Sequence, residues 1–490
     1  MGRKLTRMAF APFPSRARRF LDASRTGARM QRRALDTGSQ SATVSVAESA
    51  VGAKVPATLR DPGGIRFWIA VVLTGLCAGL GAALLTLLFD AAQELAWGAA
   101  GPSALLQAAR QASPQRHLGL LLAAGLAISV SQWLLTRLTS GNSIDVTAAI
   151  WFQAGRMPAW RTLGTAVLSL LIVAMGVPLG REGAPKQFGV VFGNLFSSLQ
   201  KLSDEQRRLV VAIGAGAGMA AVYSVPLGGA LFALEVLRGA LALRLVIPAL
   251  AAALIATETA SFVVPNAPLY TVPLYPISPD VYLWTVIAAP FIGLWSVVFV
   301  RAIAWAYRAR PSGWGRFIAP PIVLAVIGLV SIVFPELLGN GQDVAQLLFL
   351  HPLEPIVLAA LVFVRPTATI ASVASGAPGG LFTPSLAAGA LAGAGLGQLW
   401  LFVHPGGDIG LYTLLGAGAM LAASTQGPIS SLVLMMELTG QARAFALPML
   451  TAIVLATLTA RLIEWRSVYE ARLTDEEVAE RLQAREPRGG

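Results

Sequence analysis

Gly180-Arg181-Glu182-Gly183-Ala184-Pro185 breaks an apolar stretch in two, leaving the runs Thr162–Val177 and Gln187–Leu199 on either side. Neither run reaches the roughly 20 residues that a helix needs to cross a bilayer. Glycine and proline at the break set a tight turn that opens a helix, and the first N–H groups of a helix have no partners within it. Those groups, with the partial positive charge of the helix start, converge on one point and make a ready seat for an anion. Glu182 stands at the mouth of that seat. Its carboxylate can fill the seat as a tethered anion and leave on protonation, which would make it a gate; pairing with Arg181 or simple capping is the alternative. A carboxylate at membrane depth is costly without such a role.

Two further segments share this layout. Ser375-Gly376-Ala377-Pro378-Gly379-Gly380-Leu381-Phe382-Thr383-Pro384 is a glycine-rich turn running into an apolar helix. Its N–H groups, from Gly380 to Phe382, can meet those of the first segment across a shared site. Thr139-Ser140-Gly141-Asn142-Ser143-Ile144-Asp145 is a small-residue turn before a short helix. A hydroxyl there can donate to an anion, although Ser-Gly-Asn is also ordinary turn chemistry.

The chain around these turns is read as a membrane protein. Of its 490 residues 55% are hydrophobic and 13% charged, about half the charged share of soluble domains. Phe67–Phe89, His117–Leu135, Leu245–Val264, Tyr282–Tyr307 and Ile318–Phe334 read as spans, while 144–237 and 344–462 read as short apolar pieces broken by glycine or proline. Broken helices at membrane depth leave backbone groups that protein, water or an ion must satisfy, a feature of transport folds. Gly214-Ala215-Gly216-Ala217 returns 202 positions later as Gly416-Ala417-Gly418-Ala419, and at the same offset Pro226 matches Pro428 and Glu235 matches Glu437. Gly180, Gly189 and Gly193 return as Gly380, Gly389 and Gly393, 200 positions on. The expected fold is therefore an all-α polytopic membrane protein of two pseudo-symmetric repeats that mix full and broken helices; the repeats are expected to be inverted, although the offset alone does not show it.

The boundaries follow. Residues 1–65 form a basic, disordered tail, 66–472 a transmembrane domain with halves near 66–265 and 280–472, and 473–490 a short charged tail. The formal net charge of +12 comes largely from arginines of the first tail, and basic flanks stay on the cytoplasmic side. No recognition module supports a nucleic-acid partner. With one cysteine, Cys77, and three scattered histidines, no metal site is expected. An intramembrane enzyme would need a nucleophile with its base, or paired acids, and no histidine is placed for that.

Together these motifs resemble the CLC family of chloride channels and chloride–proton exchangers, over about residues 65–473. Gly-Arg-Glu-Gly matches its gating motif and Gly380-Leu381-Phe382-Thr383-Pro384 its Gly-x-Phe-x-Pro motif. The resemblance implies that Glu182 is the gating glutamate. It implies an anion site built from Arg181, Gly183, Gly380, Leu381 and Phe382, with Tyr469 of Ser467-Val468-Tyr469-Glu470-Ala471 capping it from inside. It also implies a homodimer with one pore per subunit in the bacterial plasma (inner) membrane, a small anion such as chloride as bound substrate, no cofactor, and no CBS pair after the last helix.

Three departures sharpen this expectation. Val236 takes the place of the internal proton-transfer glutamate of coupled relatives, so a passive pathway is expected; the alternative is a proton-coupled chloride antiporter. Glu235 could substitute as relay, but one step along a helix turns a side chain by about 100 degrees. The family's Gly-Ser-Gly-Ile-Pro is here Thr-Ser-Gly-Asn-Ser-Ile, so Ser140 fits with one inserted residue and Gly141 takes the position without it, which leaves chloride, nitrate and fluoride to be distinguished. Ala184-Pro185-Lys186 replaces the usual proline after Gly183, and Lys186, four residues beyond Glu182 on a helix, is expected to add positive potential to the ion's access path or to snorkel from a vestibule.

Overall fold

A computed structural model of the chain describes residues 64–99, 101, 104–138, 145–441 and 445–470, with a few positions between 473 and 479. The first tail, Ser140, Gly141 and most of the last tail lie outside the described residues. Seventeen α-helices hold most of the described residues, and no strand occurs among them.

The first half holds α1 (Ile65–Trp97), α2 (Ala104–Gln111), α3 (Pro114–Leu138), α4 (Val146–Phe152), α5 (Ala159–Ala174), α6 (Gly183–Leu199), α7 (Asp204–Tyr223), α8 (Pro226–Phe232) and α9 (Leu243–Ala260). The second holds α10 (Pro279–Arg308), α11 (Gly315–Val333), α12 (Gln342–Leu350), α13 (Pro355–Ser375), α14 (Phe382–Val403), α15 (Ile409–Thr425), α16 (Pro428–Thr439) and α17 (Ala446–Ile463). Apart from α2, each helix of the first half has a counterpart in the same order in the second. Local signals set many ends. Ser203 and Gln206 form a capping box on α7, Asp145 and Asp408 cap α4 and α15, and proline at the first position opens both α8 and α16, where its missing N–H costs nothing.

Among the described residues eight helices are long and apolar enough to cross a membrane: α1, α3, α9, α10, α11, α13, α14 and α17. The expectation of short pieces throughout 344–462 needs correcting for α13, α14 and α17, which are unbroken over 21, 22 and 18 residues. The glycines of α14 are packing sites. A Cβ on Gly389 would stand 2.5 Å from the Gly416 carbonyl, and one on Gly393 2.5 Å from the Tyr412 carbonyl. The same device recurs in the first half, where a Cβ on Gly189 would come within 1.9 Å of the Gly214 carbonyl. Thus α6 crosses α7, and α14 crosses α15, backbone against backbone.

The halves are inverted. Gly125 of α3 faces Pro321 of α11, while Leu121 and His117 face Gly328, so these equivalent helices run antiparallel. The pair α8 and α16 does the same: Glu235, just past α8, reaches the first N–H groups of α16, and Glu437 near the end of α16 reaches those of α8. Equivalent helices that run antiparallel are related by a two-fold axis perpendicular to them, which for spanning helices lies in the membrane plane. On that axis Gly180 and Gly380 exchange two backbone hydrogen bonds, each 2.8 Å, as an isolated antiparallel bridge.

Candidate functional site

The bridge brings the starts of α6 and α14 together from opposite halves. Glu182 is the N-cap of α6, yet its side chain makes no bond to that helix and crosses to the other half. Its Oε1 accepts from the backbone N–H of Phe382 at 2.8 Å, the first residue of α14, and its Oε2 accepts from the Thr383 hydroxyl at 3.0 Å and the Tyr223 hydroxyl at 3.4 Å. Tyr223 and Thr383 also bond each other at 3.0 Å. The residue is fully buried. A carboxylate on a helix start gains from unpaired N–H groups and from the local positive potential, so the donors at this point are arranged for a negative charge.

Glycine makes the room. A Cβ on Gly180 would lie 2.1 Å from a Glu182 carboxylate oxygen, and one on Gly380 would lie 2.0 Å from the other. The two bridge glycines are the walls of the slot. Gly183 sits close against Gly380, with room for a Cβ only 3.1 Å from its nitrogen. Leu381, 2% exposed, precedes Phe382 as the N-cap of α14.

Arg181 points elsewhere. Its guanidinium lies over the rings of Phe89 at 5.3 Å and Tyr223 at 5.4 Å, and it lines a cavity of about 630 Å³ with Asp90, Gln93, Gln342 and Asp343. That cavity is an approach to the slot from the Tyr223 side. The helix of α8 continues as a π-helical segment, Ala233–Arg238, and carries the chain away from Tyr223 by about 15–20 Å. At its far end a second cavity of about 320 Å³ is lined by Glu235, Val236, Thr425, Gln426, Ser467 and Glu470.

Between these two cavities stands a line of aromatic rings. Tyr223 stacks on Phe382 at 6.2 Å, Phe382 meets Phe232 at 6.3 Å, and Phe232 meets Tyr469 edge to face at 5.6 Å. Tyr469 is positioned by the segment after α17, where the Val468 N–H donates to the Ser424 carbonyl at the end of α15. Lys186 is 7% exposed and lies against this line, with its ammonium 4.9 Å from the Tyr469 ring centre and 5.3 Å from that of Phe232. It is thus buried beside the aromatics, where a snorkelling vestibule lysine would not be.

Val236 is 6% exposed and carries no titratable group to the second cavity. Glu235 beside it is engaged: its oxygens accept from the N–H groups of Ile429 at 3.2 Å and Ser430 at 2.6 Å. Its repeat mate Glu437 accepts from Leu227 at 3.0 Å and Gly228 at 2.6 Å. Among the described residues no group of three His, Cys, Asp or Glu side chains is placed to hold a metal. Tyr223 and Phe232 lie outside the motifs, and the hydroxyl of Thr383, inside the second one, takes a role that motif reading did not assign.

Comparison with known proteins agrees with this architecture. The model of the voltage gated chloride channel family matches residues 119–461. A voltage-gated ClC-type chloride channel, ClcB of Citrobacter koseri, is 34% identical over 377 residues, covering 74% of this chain and 89% of that protein. The ClcB of Salmonella typhi is 32% identical with the same coverage. Among solved structures, a slow cyanobacterial Cl−/H+ antiporter superposes with a TM-score of 0.72 at 21% identity, covering 86% of this chain and 99% of that one. A CLC-type fluoride/proton antiporter gives 0.64 at 19% identity, covering 83% and 97%. At these identities the structural likeness speaks for the fold.

Proposed function

Because the chain belongs to the voltage-gated chloride channel family, we propose that it conducts chloride, or a similar small anion, through a pathway gated by Glu182 and without obligatory proton exchange. The observation that carries this reading is the seat of the Glu182 carboxylate. A negative side chain occupies donors from the opposite half of the molecule, in a slot that two glycines keep open. An anion of similar size finds the same Phe382 N–H and Thr383 hydroxyl once the carboxylate leaves. Protonation is a means of release, since a neutral carboxyl loses the charge-assisted part of its hydrogen bonds. Arg181 then acts from the cavity above the slot, as a positive charge that concentrates anions at the approach. Tyr469 and Phe232 narrow the other side.

The passive mechanism rests on Val236. A valine takes up and releases no protons, and Glu235 has both oxygens committed to the start of α16. We place the protein in a bacterial plasma membrane with its N-terminus in the cytoplasm, as a homodimer with one pathway per subunit and with the anion as its only ligand. The discriminating experiment uses the full-length protein in potassium chloride-loaded liposomes, with external chloride and pH recorded together. Addition of valinomycin is expected to release chloride without proton uptake. Chloride efflux that drives protons inward against their gradient would make this a proton-coupled antiporter and would require another relay than Val236.

A further inference from the structure

Arginine collects where α3 and α10 end and where α5 and α11 begin. Arg137 and Arg308 stand in the last turns of α3 and α10, and Arg161 and Arg316 in the first turns of α5 and α11. Trp133, Trp160 and Trp314 are exposed at the same helix ends. Spanning helices end at the membrane surface, where tryptophan gathers in a belt, and an excess of arginine marks the cytoplasmic side.

A cavity of about 330 Å³ lies among these helix ends. Three arginines line it, Arg161, Arg310 and Arg316, against one carboxylate, Asp145. Asp145 caps α4, where its Oδ1 accepts from the Thr147 N–H at 2.8 Å. Arg310 is fixed in place: its Nε donates to the Val373 carbonyl at 3.0 Å, and its guanidinium lies over the Tyr307 ring at 4.4 Å. Planar guanidinium forks match the oxygens of a phosphate.

Leu168 of α5 is shared between this cavity and a second hollow of about 730 Å³. The second is an apolar groove along α3 and α5, with Ser131 and Trp160 at its arginine end and Leu120 and Met175 at the other. From Leu120 to Ser131, at 1.5 Å per residue, α3 advances about 16 Å. That is close to the depth of one leaflet, half of a hydrocarbon core roughly 30 Å thick. A charged pocket at the surface, joined to an apolar groove one leaflet deep, has the polarity of a phospholipid with its headgroup and tail. The pocket alone would serve a dissolved phosphate, and the groove alone any lipid tail.

We infer that the two hollows together bind one anionic phospholipid, with its phosphate on Arg161, Arg310 and Arg316 and one acyl chain between α3 and α5. The basic pocket selects the negative headgroup, and the groove selects a lipid over a soluble phosphate. The lipid belongs to the cytoplasmic leaflet in the orientation proposed above. Binding to the isolated protein depends neither on that orientation nor on transport, so the readings fail separately.

Native mass spectrometry of the full-length protein in detergent, with phosphatidylglycerol or phosphatidylcholine added at equal concentration, tests the site. The wild type is expected to hold one phosphatidylglycerol per chain and to bind phosphatidylcholine at least about tenfold more weakly. Arg316→Gln, a change at an exposed side chain, is expected to weaken phosphatidylglycerol about tenfold, as loss of a charged hydrogen-bond partner does; Arg316→Lys weakens it less. Val167 lines the groove, and Val167→Trp, which fills it, is expected to weaken the same lipid. Glycerol 3-phosphate, a headgroup without chains, is expected to leave the lipid in place. Equal binding of the two lipids by the wild type, which needs no variant, would overturn the inference. So would phosphatidylglycerol binding unchanged in Arg316→Gln. Phosphatidylglycerol displaced by glycerol 3-phosphate, or held as tightly in Val167→Trp, would make the pocket a site for soluble phosphate and remove the lipid.

Discussion

Gly180 and Gly380 give the slot its width, and this makes a test that leaves the carboxylate in place. Gly180 has no left-handed backbone conformation to defend, so alanine is tolerated by the main chain there. Its methyl group collides with the Glu182 carboxylate instead. We expect Gly180→Ala to raise the initial rate of chloride efflux, in the same direction as Glu182→Ala, although the glutamate is still present. Efflux unchanged in Gly180→Ala but raised in Glu182→Ala would mean that the carboxylate gates from somewhere other than this slot. At this scale much of the geometry was legible in the sequence. Gly-Arg-Glu-Gly and Gly-Leu-Phe-Thr-Pro identify two helix starts, and the structure brings them face to face. The hydroxyl roles of Tyr223 and Thr383 were not legible: Tyr223 stands at the end of α7, outside both motifs, and Thr383, though within the second motif, contributes its side chain where the motif reading looked to backbone N–H groups. They acquire their role only when α7 ends against α14. Arg181 lies next to Glu182 in sequence, yet adjacent residues point in different directions, and its guanidinium settles on Phe89 and Tyr223.

Between helices, the repeat glutamates act as exchanged caps. Glu235 satisfies the open N–H groups of α16, and Glu437 satisfies those of α8. Both helices start with proline, and the N–H groups that follow it have no partner within their own helix. Glu437→Gln is expected to cost about 1 kcal/mol, since it replaces the charged acceptor of two backbone N–H groups with a neutral one. The apparent unfolding temperature in detergent then drops by a few degrees, as thermal scanning would record. A variant as stable as the wild type would show the caps to be dispensable. The sequence marked this pair as equivalent at an offset of 202, but spacing alone does not say that each glutamate serves the other's helix. The glycines of α14 were open to two readings for a related reason. A glycine that breaks a helix and one that admits a neighbouring backbone look alike until the neighbour is known. Gly389 and Gly393 proved to be of the second kind.

At the level of the whole molecule, composition identified a membrane protein and the repeat identified two halves, while their inversion required seeing α3 run against α11. Alternating cavities above and below a closed centre then follow from the symmetry of the helix pairs. The homodimer is a separate matter. The detergent-solubilised protein is expected to scatter light as a particle of twice the chain's mass, after correction for bound detergent, and a single-chain mass would remove that part of the proposal. The Gly180–Gly380 bridge lies on the axis that relates the halves, so whatever one half contributes there an identical twin would contribute again. Two copies of the Glu182 carboxylate would meet across that axis and repel, each raising the cost of ionising the other. At the offset of 200 the position of Glu182 is taken in the second half by Phe382. After duplication of an ancestral half, the halves were free to stay alike along most of their helices, but at this point they had to diverge, one keeping the latch and the other becoming its catch.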